Sequence, residues 1–347
     1  MNKKIVKKIF FVLFFILVMA LAIYVVFNDQ DPAQILAAIR QFDAVWLIPA
    51  ALFGLGYVCC EGVMIHFMIG GKGGLREMIR CISYAFVGFF FSGITPSASG
   101  GQPMQLVYMS RDGHRFSESC ATLTVIAVFN KLVLAAAGVL LLIFWHDPLI
   151  PLFGSNMGIY ALGLAVLVFW VVFLGMLMLF PSTVEKAALG IVHLVEKTRI
   201  LKPSEKRDAA IRTFFDGYRT IKKTVFENRA KLLFIAFFSV LQRALLVFLT
   251  CFVYIGFHLE GTSLMYIFLL QLAVMVTVDM LPLPGAQGIS ETLYTAVFGG
   301  VFGTLFLRPS VCVSRLLSFY LPLLTGMIVS GLLSLMKKKQ DRAIETK

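Results

Sequence analysis

"FSGITPSASGGQPMQLVYMSRDGHR", residues Phe91 to Arg115, interrupts a chain that is otherwise strongly apolar. With Pro96, Gly100, Gly101 and Pro103 close together, the stretch cannot continue as an undistorted helix, because proline removes a helical hydrogen bond and glycine weakens the helix. In water this is an ordinary loop. At membrane depth such backbone is tolerated only where protein or a water-filled cavity satisfies its free N–H and C=O groups. Which setting applies decides the fold.

The surroundings give the setting. Of 347 residues, 59% are hydrophobic and 14% charged, a balance outside that of ordinary soluble domains. The sequence reads as an all-α polytopic membrane protein with a single integral domain over 1–347. Apolar runs near the ~20 residues that a spanning helix needs lie at 9–27, 45–69, 119–145, 159–180, 231–257 and 311–335. The first follows "MNKKIVKK" and continues through Tyr24 to Phe27, which suits a retained signal anchor better than a cleaved leader. Cys59, Cys60, Cys81, Cys120, Cys251 and Cys312 all fall in or beside apolar segments without C-x-x-C spacing, so neither a metal site nor a disulfide framework is expected. No G-x-x-x-x-G-K-[ST] loop appears, and no cofactor is expected.

Charge sets the expected sidedness. Lys3, Lys4, Lys7 and Lys8 place the N-terminus in the cytoplasm, and Lys72, Arg76 and Arg80 place the connection after the second run there too. Arg111, His114 and Arg115 put the far flank of the opening stretch on the same side. Its apolar part, 81–94, reads as too short to cross, so the segment is expected to be a re-entrant hairpin entering from the cytoplasm. The connection 181–230 is basic and carries Ile211, Phe214, Phe215, Tyr218, Ile221 and Val225 at helical spacing. It reads as cytoplasmic, either lying on the membrane surface or forming a polar helical hairpin. The short tail 336–347 is basic and cytoplasmic as well. The net charge of +12 clusters between apolar runs, which points to anionic lipid headgroups rather than nucleic acid as the charged partner.

A second break, "VDMLPLPGAQGISE", lies within 262–308, a segment expected to start and finish outside. It reads as a hairpin, with two full spans as the alternative. Two hairpins entering from opposite faces are the arrangement of inverted-repeat transporters. Lys131 follows Pro103 by 28 residues and Arg315 follows Gly288 by 27, a parallel placement of cations. In the first break, Gly100 and Gly101 permit the turn and close approach, Pro96 and Pro103 interrupt the helix, and Ser97, Ser99 and Gln102 offer hydrogen bonds. A half-helix beginning near Pro103 would direct N–H groups toward an anion such as a phosphate. Ionisable groups in apolar runs are costly and need partners. Lys131, Arg243 and Arg315 are candidates for a lipid phosphate, and Glu61, Asp279 and Glu291 for charge balance or a headgroup amine. Glu61 and Asp279 are also candidate charge-balance or proton sites, while His66 and Arg243 rank lower as groups able to snorkel.

"TPSASGGQPMQ", "PLPGAQGISE" and "SRLLSFYLPLLTG" together resemble the lysylphosphatidylglycerol synthase transmembrane-region family of flippase-like bacterial membrane proteins. The resemblance implies a multi-pass protein of the bacterial cell membrane that moves an anionic or aminoacylated phospholipid between leaflets. It also implies a lipid path lined by Thr95 to Gln105, including Pro96, Ser97, Ser99, Gly100, Gly101 and Gln102, and by Pro282, Pro284, Gly285, Gln287, Gly288 and Glu291, with Arg315 in the final-span motif. Larger family members join such a region to a soluble domain that transfers lysine to phosphatidylglycerol. The sequence here ends shortly after its last apolar run, so that chemistry is not expected of it. Where the family often carries an Arg followed by an acid, "FNKLVLA" keeps a cation in Lys131 without the acid. Two other readings stand beside transport: a non-catalytic partner of a separate lipid-modifying enzyme such as a lysyltransferase, and a membrane-embedded lipid phosphatase, which lacks its expected carboxylate cluster here.

Overall fold

The computed structural model describes residues 32–70, 74–95, 98–154, 157–198, 202, 204–279 and 289–345, with backbone alone at 32, 34, 35, 289–292 and 336–345. The apolar run 9–27, Pro96, Ser97 and the stretch from Pro282 to Gly288 lie outside these residues. Among the described residues there is no strand. The helices are α1 (Pro32–Ile39), α2 (Leu47–Ile69), α3 (Gly74–Ile94), α4 (Gly101–Arg111), α5 (Phe116–Phe144), α6 (His146–Phe153) and α7 (Met157–Leu179). Then follow α8 (Pro181–Lys197), α9 (Glu205–Phe226), α10 (Arg229–Gly256), α11 (Leu264–Val278), α12 (Ile289–Arg315) and α13 (Leu321–Glu345), the last two joined by the π-helical Leu316–Tyr320.

Six of the described segments are long and apolar enough to cross a membrane: Ala44–Ile69, Gly74–Ile94, Phe116–Phe144, Met157–Leu179, Arg229–Gly256 and Leu293–Leu335. The second of these corrects the expectation that the apolar part 81–94 stands as a short half. Arg76 and Arg80 belong to the same helix as the apolar run, so α3 has 21 residues and a length of about 31 Å. Its polar first turns disguised it, and its hydropathy of 1.3 is the lowest of the six.

The hairpin itself is present. α4 has only 11 residues, about 16 Å, and runs back along α3. The Tyr84 hydroxyl donates to the Asp112 carboxylate just past α4, and Arg80 lies 3.7 Å from the same carboxylate. A Cβ built on Gly101 would sit 2.7 Å from the Gly88 carbonyl oxygen, so glycine is what permits the two limbs to touch. The start of α3 and the end of α4 therefore share one end of the bundle, here the Asp112 end.

The described helices on either side of the second break, α11 and α12, pack on each other and enter from the opposite end. α11 has 15 residues, about 22 Å, short of the ~30 Å hydrocarbon core. It begins beside Cys251, whose thiol lies 3.8 Å from the Leu264 carbonyl, and ends at Asp279 deep in the bundle. α12 returns. At Gly303 (φ 61°, ψ 177°) it folds back on itself, with Gly299 against Leu307 and the Tyr294 hydroxyl facing Ser310 and Ser314. Phe302 and Phe306, flanking the fold, pack on Tyr254 and Phe257 at the end of α10. The limb after Gly303 continues through the π-helical turn into α13, so the last span begins well before residue 311. It finishes near the other end, where the Tyr108 and Ser334 hydroxyls lie 3.3 Å apart.

Long helices pack around these hairpins by backbone approach at small residues. α2 and α10 run antiparallel, tied by the Asp43 N–H donating to the Gly256 carbonyl at 2.8 Å and the Gln242 amide donating to the Tyr57 carbonyl at 2.9 Å. Gly62 meets α3 at Ile82, Gly326 meets the Phe86 carbonyl, and Gly163 meets the backbone of Thr277. The connection between α7 and α10 is a helical hairpin. α8 and α9 are joined by Arg207 to Glu196 and Arg219 to Glu185 ion pairs. Of the apolar stripe read in the sequence, Phe215, Tyr218, Ile221 and Val225 are buried, and the Tyr218 hydroxyl meets that of Thr124 on α5 at 3.0 Å. That stripe faces protein, not lipid.

A Cβ at Gly62 would lie 2.3 Å from the Ile82 Cα, whereas at Gly175, on α7, nothing stands within 4 Å. Gly62→Leu is expected to cost about 1–3 kcal/mol or more through overpacking, and Gly175→Leu far less. Thermal unfolding in detergent, followed by a thiol-reactive dye on buried Cys60, Cys81 and Cys251, checks the difference; equal midpoints would contradict the close α2–α3 approach.

Candidate functional site

The two hairpins converge on a group of polar side chains near the middle of the long helices. Lys131 stands midway along α5 and Arg243 midway along α10. Both reach Asp279, the residue that caps the C-terminus of α11: Lys131 Nζ donates to Asp279 Oδ2, and Arg243 Nη1 donates to Asp279 Oδ1 at 3.2 Å. The side chains are 18% (Lys131), 10% (Arg243) and 13% (Asp279) exposed. Arg243 therefore does not snorkel to an interface, contrary to its low rank in the sequence reading. The acid missing from "FNKLVLA" is supplied by α11 instead.

A second pair completes the group. Gln105 on α4 is buried and donates through Nε2 to Glu61 Oε1 on α2 at 2.6 Å. Glu61 and Tyr57, one turn apart on α2, are both within electrostatic reach of Arg243. Five elements thus meet here: α2, α4, α5, α10 and α11. The group holds two basic and two acidic side chains. Arg243 Nε, Gln242 Oε1 and, one residue before Lys131, Asn130 Oδ1 are buried without a hydrogen-bond partner among the described residues. Each such atom costs roughly 1–3 kcal/mol unless water or a ligand satisfies it.

The break before α4 is built from local contacts. Thr95 Oγ1 donates to the Phe91 carbonyl at 2.6 Å and accepts the Gly100 N–H at 2.8 Å, and Ser92 Oγ reaches the Ala98 carbonyl at 3.4 Å. Among the described residues of this turn Ala98 is left-handed (φ 52°), while Gly100 is right-handed (φ −84°). Gly100 and Gly101 accordingly serve close packing and not the turn: a Cβ on Gly100 would lie 2.6 Å from Thr95 Cγ2. Pro103 falls in the first turn of α4, where its missing N–H is harmless. Gln102 is exposed, and among the described residues of this motif Gln105 reaches the central group.

From the second break, Asp279 enters the group. Pro282, Pro284, Gly285, Gln287 and Gly288 lie outside the described residues, and Glu291 is described as helix backbone alone. Arg315 ends α12 half-buried and makes no ion pair with Asp279; the cation that joins Lys131 is Arg243. Sequence reasoning passed over Tyr57 and Gln242, whose only signal was a polar tip inside an apolar run. No group of three or more His, Cys, Asp or Glu side chains able to hold a metal occurs among the described residues.

A family model described as "Lysylphosphatidylglycerol synthase TM region" matches residues 10–326, a span that includes both hairpins and the whole central group. Comparison with curated proteins finds no match.

Replacing Asp279 by Asn leaves two buried cations sharing no carboxylate, a loss expected to cost about 3–5 kcal/mol. Lys131→Met in the same chain is expected to recover part of that loss. A double-mutant cycle on thermal stability measures the coupling, and strictly additive single effects would show that the pair does not interact.

Proposed function

The chain belongs to the lysylphosphatidylglycerol synthase transmembrane-region family, a membrane protein of the lysylphosphatidylglycerol pathway, and we propose that it moves an anionic or aminoacylated phospholipid between leaflets. One observation carries the reading. Two hairpins that enter from opposite ends of the bundle each deliver a polar residue, Gln105 and Asp279, to the same buried group of paired charges. A lipid headgroup crossing hydrocarbon needs a polar stop halfway, and irregular helices around a midplane site supply that in alternating-access transporters.

Lys131 and Arg243 are the groups for the lipid phosphate. A phosphodiester binds a guanidinium and an ammonium as a carboxylate does, so phosphate competes with Asp279 for the same two donors. Exchange of one anion for the other keeps both cations paired throughout, while the displaced Asp279 carboxylate takes up a proton or turns to water. Glu61, held by Gln105, is the counterpart for an ammonium on an aminoacylated headgroup. The headgroup enters the bundle while its acyl chains remain in the bilayer. The reading carries with it a bacterial cell membrane, with both termini and the Asp112 end in the cytoplasm. Arg76, Arg80, Arg111, Arg115 and Arg229 at that end accord with the excess of cations on cytoplasmic faces.

Proteoliposomes loaded with fluorescent phosphatidylglycerol or its lysyl ester provide the test. Protein-dependent movement is expected, reduced about tenfold or more in Lys131→Met, the loss of a charge-assisted contact, and largely retained in Lys131→Arg. Folded protein that moves neither lipid would overturn the transport reading and favour a non-transporting partner of a lipid-modifying enzyme.

A further inference from the structure

Lys131 and Arg243 both direct donors at Asp279, while Glu61, the other acid of the central group, has a different kind of partner. Its Oε1 accepts from the Gln105 amide at 2.6 Å, and among the described residues it forms no ion pair. The difference decides what each acid can do with a proton.

An ammonium or a guanidinium has donors and no acceptor, so it serves a carboxylate and offers nothing to the O–H of a carboxylic acid. Protonating Asp279 in place would leave two basic partners unmatched at membrane depth. An amide carries a donor and an acceptor on one planar group. Gln105 Nε2 donates to the Glu61 carboxylate, and the amide oxygen of the same side chain accepts from the O–H once Glu61 is protonated. Neither form strands a polar group. The amide is also held in place: Gln105 is buried, and a Cβ on Gly88 of α3 would stand 2.3 Å from its Nε2.

Few other groups bear on Glu61. Tyr57 on its own helix and Arg243 on α10 lie within electrostatic reach. α5 and α11 bring Lys131 and Asp279, which face each other. On α3 the Tyr84 hydroxyl is given to Asp112, with Arg80 beside it, and on α4 Tyr108 faces Ser334. α13 has no titratable side chain over 321–335. Because Arg243 is hydrogen-bonded to Asp279, Glu61 can lose its charge without leaving that guanidinium unpaired. Glu61 is only half-buried, and the unpartnered Arg243 Nε, Gln242 Oε1 and Asn130 Oδ1 call for water in the same region.

We infer that Glu61 is a reversible proton-binding site and that Gln105 is the positioning residue that serves both of its forms. Hydronium from that water gives a proton to a carboxylate oxygen, an O–H bond forms and water is left; the reverse step returns the proton. The centre thereby changes its net charge by a single unit while the Asp279 contacts stay intact. The proton site does not depend on the transport reading. Its consequence for lipids does: the proton balances an anionic headgroup, and an ammonium on an aminoacylated headgroup displaces it.

Infrared difference spectroscopy of the full chain in phosphatidylcholine nanodiscs, with pH changed in steps, tests this. The carbonyl band of a carboxylic acid is expected to grow as pH falls and to vanish as pH rises. Glu61→Gln, whose amide keeps a hydrogen bond to Gln105, is expected to lose that band, and Glu61→Asp to restore a titrating one. Gln105→Met is expected to keep the titration and move the band to higher frequency, because the acid loses its hydrogen bonds; a residue that merely fills space would leave the frequency unchanged. A pH-sensitive dye is expected to show Glu61→Gln taking up about one proton fewer per chain over the same steps. A Glu61-dependent spectrum with a single form at every pH at which the chain stays folded, or equal proton uptake by the two chains, overturns the assignment. A titrating Glu61 in a chain that moves no lipid supports the proton site and counts against transport alone, so failure of one reading is told from failure of the other.

Discussion

The carboxylate of Asp279, shared between Lys131 and Arg243, is the constraint around which the rest of the bundle is arranged. An unpaired ion at this depth costs several kcal/mol, so the three groups have to arrive together or the helices that carry them cannot pack. The division of labour is uneven. The cations stand on α5 and α10, each long enough to cross, and the anion stands at the end of α11, which is not. A broken helix is thereby held at mid-bundle by charge, where hydrophobic burial alone would draw it no deeper than its own apolar length.

Glycine makes the same arrangement sterically feasible. In a chain whose helices are apolar on their lipid faces, association depends on close packing and on interhelical hydrogen bonds. Gly62 brings α2 against the backbone of α3, Gly101 brings α4 against α3, and Gly163 brings α7 against the last turn of α11. These approaches set Glu61 opposite Gln105 and Asp279 opposite Lys131. The first tip, meanwhile, meets its own needs: Thr95 both donates to and accepts from the backbone of its turn. Irregular backbone is thus stabilised inside the fold without calling on the central charges, which remain available to one another.

Much of this was legible in the sequence, and the reasons for what was not are physical. The apolar runs stand out because they match the hydrocarbon core in length, and the two Pro/Gly breaks and the costly ions at 61, 131 and 279 because hydrocarbon tolerates neither without a partner. Partner choice was less accessible. Spacing placed Lys131 and Arg315 in parallel but could not show that Lys131 shares Asp279 with Arg243, which looked able to reach an interface. Helix ends were obscured wherever a polar turn continued an apolar helix, as Arg76 and Arg80 continue α3. The aromatic stripe of α9 left two neighbours open, since amphipathic spacing alone does not distinguish lipid from the flank of α5, against which the stripe packs.

The fold at Gly303 has a mechanical consequence. The returning limb of the second hairpin joins the final crossing helix through one left-handed glycine, with no intervening loop to absorb displacement. Its 14 residues from Ile289 to Phe302 form a rod of about 21 Å, stiffened by the stacked rings of Tyr294 and Phe298. Pivoting about a single residue, such a rod sweeps its far end through an arc: a rotation of about 10° carries it roughly 3–4 Å, comparable with the reach of one ion pair. A small angular change at Gly303 is in this way magnified into a displacement of several ångström at the far end of the limb.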